Sequence, residues 1–257
     1  MAAFYERLGT NSYRSTEHTA GPWSTASQHL GPPSALLVRE LEACAPRDDV
    51  LLSRLVFEVL GPVPVADLEV TASVIRPGRS VELLAAELTH ENRAVLRAQA
   101  WRITRGDTAA IASDSSGMLP EPPACPKMTM PEDWSCGYLE AVDWRSVDGD
   151  MVTPGDAIVW GRPLMPTVED EETTALQRLF TIADSASGVS SRLDIRKWLA
   201  INTDLSVHLH REPQGSWFAL EASTVIGPTG VGVASSVVHD LLGPVARTAQ
   251  SLFVRER

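Results

Sequence analysis

Asp204, His208 and His210 stand at spacings that an extended strand converts into a shared face, because side chains alternate with a period of two. A carboxylate with two imidazoles is a zinc-type ligand set. A His-x-His pair on a half-exposed strand is more commonly a solvated surface pair, and no metal is expected there. Cys44, Cys125 and Cys136 are odd in number and have no C-x-x-C spacing, so neither a disulfide framework nor a redox or zinc motif is expected. The chain contains no Gly-rich phosphate loop, no G-x-S-x-G elbow and no convincing Ser-His-Asp order, which excludes most nucleotide-dependent and serine-hydrolase chemistry. No cofactor is implied.

Charge narrows the partners. The 257 residues carry a formal net charge of −11 and a pI of about 5.0, so no general basic surface exists to neutralise nucleic-acid phosphates. Arg76, Arg79, Arg192, Arg196, Lys197 and Arg211 fall near expected sheet ends, where a few local cations suffice for a phosphate-bearing small molecule. No apolar run approaches the roughly 18 residues of a membrane span, and the N-terminal MAAFYERLGT carries charge where a signal peptide is apolar. Membrane insertion is not expected and a cytoplasmic location is.

The elements that must position any site are legible from pattern. Residues 31–44 read as a helix with Pro32 and Pro33 in its first turn, where a missing N–H is tolerated. Strand-like runs follow at 50–60, 67–75, 80–89 and 94–103, separated by Gly61-Pro62, Pro77-Gly78-Arg79 and His90-Glu91-Asn92. A stretch at 106–135 rich in Pro and Ser reads as a linker between an N-terminal unit (1–105) and a C-terminal unit (136–257). The pattern then restarts: a strand at 137–147, an apolar stretch at 157–160, a helix from about 173 to 182, and strands at 198–209, 216–225, 232–239 and 244–254.

Two echoes suggest duplication. Asp67-Leu68-Glu69-Val70 resembles Asp204-Leu205-Ser206-Val207 at an offset of 137, and the run around Arg97 resembles that around Arg247 at an offset of 150. A helix held in the concave face of a curled antiparallel sheet, made twice and joined edge to edge, buries the helices and removes exposed edges. The expected fold is α+β, a double hotdog.

At this point the sequence resembles the acyl-CoA thioesterase II family of double hotdog enzymes. The resemblance rests on Asn202-Thr203-Asp204-Leu205 with His210-Arg211 downstream, on Trp217 to Thr224, and on Val245-Ala246-Arg247-Thr248-Ala249-Gln250. It implies hydrolysis of an acyl-CoA or related acyl thioester to a free fatty acid and a thiol. It also implies that Asp204, Thr224 and Gln250 orient the attacking water, with Ser223 the alternative hydroxyl. The start of the 31–44 helix would then bind the thioester oxygen through the backbone N–H groups of Gly31 and Ser34. Pro32, Pro33 and Leu205 depart from the family pattern, and the two prolines lack an N–H. The alternative is a non-catalytic acyl-thioester or lipid binding protein of the same fold. Hydratase chemistry is disfavoured, since the first His after Asp204 comes at +4 without an Asn-Pro between them. Association into a homo-oligomer is left open.

Overall fold

The computed structural model describes residues 2–113, 117–131 and 134–257, so parts of the stretch read as a linker lie outside the described residues. In chain order the N-terminal half holds β1 (Tyr5–Arg7), β2 (Ser12–Ser15), β3 (Ala20–Gly21), β4 (Ser24–Gln28), α1 (Gly31–Ala43), β5 (Val50–Val59), β6 (Asp67–Arg76), β7 (Val81–His90) and β8 (Arg93–Thr104). The C-terminal half holds α2 (Gly137–Glu140), β9 (Val142–Asp148), β10 (Ala157–Pro163), α3 (Ala175–Ala183), α4 (Ala186–Val189), β11 (Trp198–Asn202), β12 (Asp204–Leu209), β13 (Phe218–Ile226), β14 (Val231–Asp240) and β15 (Gly243–Glu256). Among the described residues, no helix is long and apolar enough to cross a membrane.

Alternation dictates the sheet. In β6, Leu68 and Val70 point inward and are buried while Asp67, Glu69 and Thr71 face out. The β7–β8 hairpin turns on Glu91 and Asn92, with φ of 49° and 61°, a two-residue turn whose backbone twist matches that of the strands it joins. Apart from β3 and β4, which form a separate two-stranded sheet, the strands form one open antiparallel sheet in the order β1-β2-β6-β7-β8-β5-β12-β15-β14-β13-β10-β9, with β11 paired to β15. The halves meet at β5 and β12, where Phe57 lies opposite Leu205 and Leu55 opposite Val207. Each half keeps a helix against its own strands, which is the double hotdog architecture.

The duplication is visible in the register, at one offset throughout. Arg97 pairs with Glu58 and Glu87. Arg247, at 247 − 97 = 150 positions on, pairs with His208 and Val237, which stand at that same distance from Glu58 and Glu87. The echo between Asp67 and Asp204 is accidental: β6 is the second strand after its helix, whereas β12 corresponds to β5, the first.

Two further expectations are revised. Residues 137–140 form a helical turn, not the start of a strand, because Gly137 packs so closely on Glu17 that a Cβ there would lie 1.8 Å from the Glu17 carbonyl oxygen. The strand expected over 198–209 is split at Thr203, and the matching irregularity in β5 falls between Leu52 and Arg54. A bulge of this kind re-aims the side chains beside it.

The core is set by α1 crossing α3. Residues Gly31 to Val38 are all buried, and Phe57 meets Phe180 at 5.4 Å between ring centroids. At the crossing a Cβ on Gly31 would lie 2.2 Å from the Thr181 carbonyl oxygen, so only glycine permits this approach. The Gly31→Ala variant is therefore expected to lose about 1–3 kcal/mol of stability by overpacking, read from denaturant unfolding; an unchanged midpoint would show that the two helices have room to separate.

Candidate active site

The apolar helix α3 ends at Asp184, whose carboxyl group is turned into the protein and is 5% exposed. The bulge at Thr203 places Asn202 at the end of β11, and Asn202 Nδ2 donates to Asp184 Oδ1 at 2.8 Å. Gln250, on the inward face of β15, donates through Nε2 to the same oxygen at 2.7 Å and to the Asp184 backbone carbonyl at 3.1 Å. From the other half, the Leu30 backbone N–H donates to the carboxyl group at the start of α1. His29 Nδ1 lies 3.4 Å from Asp184 Oδ2.

Burial dominates the electrostatics. Desolvation pushes the Asp184 carboxyl up to about 7, against the opposing pull of the hydrogen bonds from Asn202, Leu30 and Gln250. Desolvation also holds His29 down at about 3, so its ring is neutral near pH 7. Among the described residues, Gln250 Oε1 is buried and has no hydrogen-bond partner. A carboxylate that titrates near neutrality beside an unused buried acceptor suits proton abstraction from a small bound molecule.

Of Asp204, Thr224 and Gln250, the three residues expected to orient the water, Gln250 alone bonds to the Asp184 carboxyl. Leu205 is buried, so alternation sends Asp204 to the opposite face of the sheet from Gln250. There Asp204 Oδ1 accepts from the Ser251 backbone N–H at 2.9 Å. Thr224 is the inward hydroxyl and Ser223 the outward one, but Thr224 Oγ1 bonds to Ser190 Oγ at 2.7 Å, tying the end of α4 to the sheet. Thr224 is separated from Gln250 by the intervening strand, both residues lying opposite Ala234.

At the helix start, the Gly31 N–H donates to His29 Nδ1 at 3.1 Å and the Ser34 N–H to the Leu30 carbonyl at 3.0 Å. Both backbone donors expected to bind a substrate oxygen are thus already engaged. Several of the cations are engaged as well: Arg211 grips Asp240 through two bonds of 2.6 Å, Arg192 pairs with Asp156, and Arg76 caps the Val81 carbonyl.

Among the described residues, the carboxamide pair that holds the carboxyl occurs once. By the sheet register, Asn202 and Gln250 correspond to Leu52 and Ala100, which offer no hydrogen-bonding side chain.

Comparison with known proteins agrees with this architecture. No curated protein matches the chain significantly by sequence. The chain is similar in structure to a putative thioesterase II from Thermobifida fusca (18% identity, TM-score 0.75, covering 98% of this chain and 95% of that one). It is similar also to a putative thioesterase from Novosphingobium aromaticivorans (20%, TM-score 0.72, 98% and 99%). A hot dog fold protein of unknown function from Alicyclobacillus acidocaldarius aligns at 14% identity and TM-score 0.75 over 97% and 95% of the two chains. At such identities the likeness establishes the fold. The family models are more specific: the acyl-CoA thioesterase N-terminal domain matches residues 19–103 and the C-terminal domain matches residues 122–254. With both domains present in order on one double hotdog, the chain belongs to the acyl-CoA thioesterase family and is an enzyme of thioester hydrolysis.

Proposed function

We propose that the substrate is an acyl-CoA and that Asp184, not Asp204, is the general base that activates water against its thioester carbonyl. The observation that carries this reading is the buried Asp184 carboxyl, fixed through Oδ1 by two carboxamides and with a pKa of about 7. A base poised near working pH combines adequate ionisation with adequate proton affinity. Gln250 Oε1, the unpartnered acceptor beside it, supports a role in accepting the second hydrogen of the same water.

In the proposed reaction the water oxygen attacks the carbonyl carbon as Asp184 takes one of its protons. The carbonyl electron pair moves onto oxygen, giving a tetrahedral intermediate. Its collapse breaks the C–S bond, and the departing thiolate recovers the proton from Asp184. The products are a free fatty acid and coenzyme A, with no covalent enzyme intermediate. Asn202 and Gln250 position Asp184 by sharing one carboxylate oxygen, Oδ1.

Release of free thiol from a panel of acyl-CoAs tests the assignment. Asp184→Asn is expected to lower kcat by about 10²–10⁴, the usual worth of a positioned base. Asp204→Ala is expected to stay within about threefold of the unaltered enzyme, as surface substitutions do. The reverse pattern, with Asp204→Ala inactive and Asp184→Asn active, would restore Asp204 as the base. Binding of acyl-CoA without turnover by the unaltered chain would contradict the proposed reaction.

The raised pKa fixes the direction of the pH effect. The base works only when ionised, so kcat/KM should fall tenfold per unit below a midpoint near 7 and level off above it. A profile flat between about pH 5 and 8 would remove Asp184 from the rate-limiting step.

Stability runs the opposite way. Because the folded pKa lies above the unfolded one, near 3.8, the native state binds the extra proton between these values, and the resulting stabilisation is lost as pH rises through about 7. The Tm of Asp184→Asn relative to the unaltered enzyme should therefore increase from pH 5 to pH 8. A difference independent of pH would place the ionisation elsewhere.

A further inference from the structure

The start of α1 poses a chemical problem. A water attacking from Asp184 drives negative charge onto the thioester oxygen, which needs hydrogen-bond donors. Pro32 and Pro33 have no N–H. The Leu30 N–H is given to Asp184, the Gly31 N–H to His29 and the Ser34 N–H to the Leu30 carbonyl. The backbone donors that usually serve at a helix N-terminus are spent within the protein.

His29 offers a different donor at the same place. Its ring lies flat on Tyr138, with centroids 3.8 Å apart and planes 5° from parallel. Tyr138 is itself pinned through its hydroxyl, which donates to the Thr181 carbonyl at 2.8 Å and contacts Ser185 Oγ at 2.7 Å. The Gly31 N–H donates to the Nδ1 lone pair at 3.1 Å, which assigns the hydrogen of the neutral ring to Nε2 in preference to an Nδ1–H directed at Asp184 Oδ2, 3.4 Å away. The side chain retains 16% of its exposure, and Nε2 is neither bonded to a described residue nor among the sealed, unpartnered polar atoms. It is an N–H fixed by the stacked ring, on a side chain that keeps some solvent contact beside the Asp184 carboxyl.

We infer that His29 Nε2–H is the oxyanion donor of this enzyme, replacing the helix N–H groups removed by Pro32 and Pro33. The assignment rests on Asp184 being the base. A neutral imidazole is suited to this role because it donates a hydrogen bond without surrendering a proton to the intermediate. Burial, which holds the ring neutral, and the stacked Tyr138, which fixes its plane, both serve that end. Tyr138 acts as a positioning residue.

Two variants and one spectrum test this. His29→Phe keeps an aromatic face for Tyr138 and removes the N–H, while in His29→Gln the side-chain amide nitrogen can approach the place of Nε2. With the acyl-CoA that the unaltered enzyme turns over fastest, His29→Phe should lose about 10²–10³ in kcat, as removal of one oxyanion donor does, with KM changed less than about threefold. Its acid limb near 7 should persist, since Asp184 is untouched. His29→Gln should recover to within about tenfold of the unaltered enzyme.

A kcat for His29→Phe within about threefold of the unaltered enzyme, while Asp184→Asn is inactive, overturns the His29 assignment and leaves the base in place. Full activity in Asp184→Asn overturns both. Should His29→Phe fail to fold, nitrogen NMR of the unaltered enzyme decides: the account requires the neutral Nε2–H tautomer of His29 from about pH 5 to 8, and an Nδ1–H or cationic ring overturns it.

Discussion

The active-site arrangement depends on how closely α1 crosses α3. Helix axes in proteins usually stand 8–10 Å apart because side chains separate them; here Gly31 presents bare backbone to the carbonyl of Thr181. That contact sets the first turn of a helix from one half directly over the last turn of a helix from the other. Leu30 then reaches the Asp184 carboxyl, and His29 slots against Tyr138. A methyl group at residue 31 pushes these parts away from one another, so a packing constraint and a chemical one are met by the same glycine.

Duplication supplies the remaining parts and explains why they occur once. The two halves share a register so regular that even the irregularities at Ser53 and Thr203 coincide, each hydroxyl facing the backbone carbonyl of the equivalent residue on the neighbouring strand, Trp101 and Ser251. With the frame already built twice, one copy is free to hold Leu52 and Ala100 as plain packing while the other holds Asn202 and Gln250. Burying a carboxylate is costly unless donors satisfy it. The C-terminal half meets that cost with two carboxamides, and the residual penalty appears as a pKa raised into the range where the group can act as a base.

The frame was legible because it is written in periodicity. Strands β5 to β8 announce themselves by alternation and by turn residues, and the first helix begins and ends within a residue of its expected bounds. The site was harder to read because its members are scattered and its faces depend on single-residue details. Asp204 is implied by the family resemblance as a carboxylate within the strand expected over 198–209, yet the bulge at Thr203 and the burial of Leu205 turn it outward. Asp184 is inconspicuous in the sequence because it follows an apolar helix in Phe180-Thr181-Ile182-Ala183-Asp184, where it passes for a helix end. The available signal was an acidic residue set between apolar turns of helix on both sides, a position that only a paired or protonated carboxyl tolerates. Gln250 is implied by the family resemblance, and the structure brings it to the Asp184 carboxyl from the inward face of β15. His29 gave no sign in sequence; its place is created by stacking on a tyrosine far away in the chain.

The measurement that bears most directly on the account is a carbon NMR titration of the aspartate carboxyl groups, made on the same preparation used for thioester hydrolysis. The account requires one aspartate to titrate with a midpoint near 7, its signal to vanish in Asp184→Asn, and the midpoint to coincide with the acid limb of kcat/KM. If every aspartate titrates below about pH 5 while the enzyme retains an acid limb near 7, Asp184 is not the base and the ionisation that governs the reaction belongs to another group.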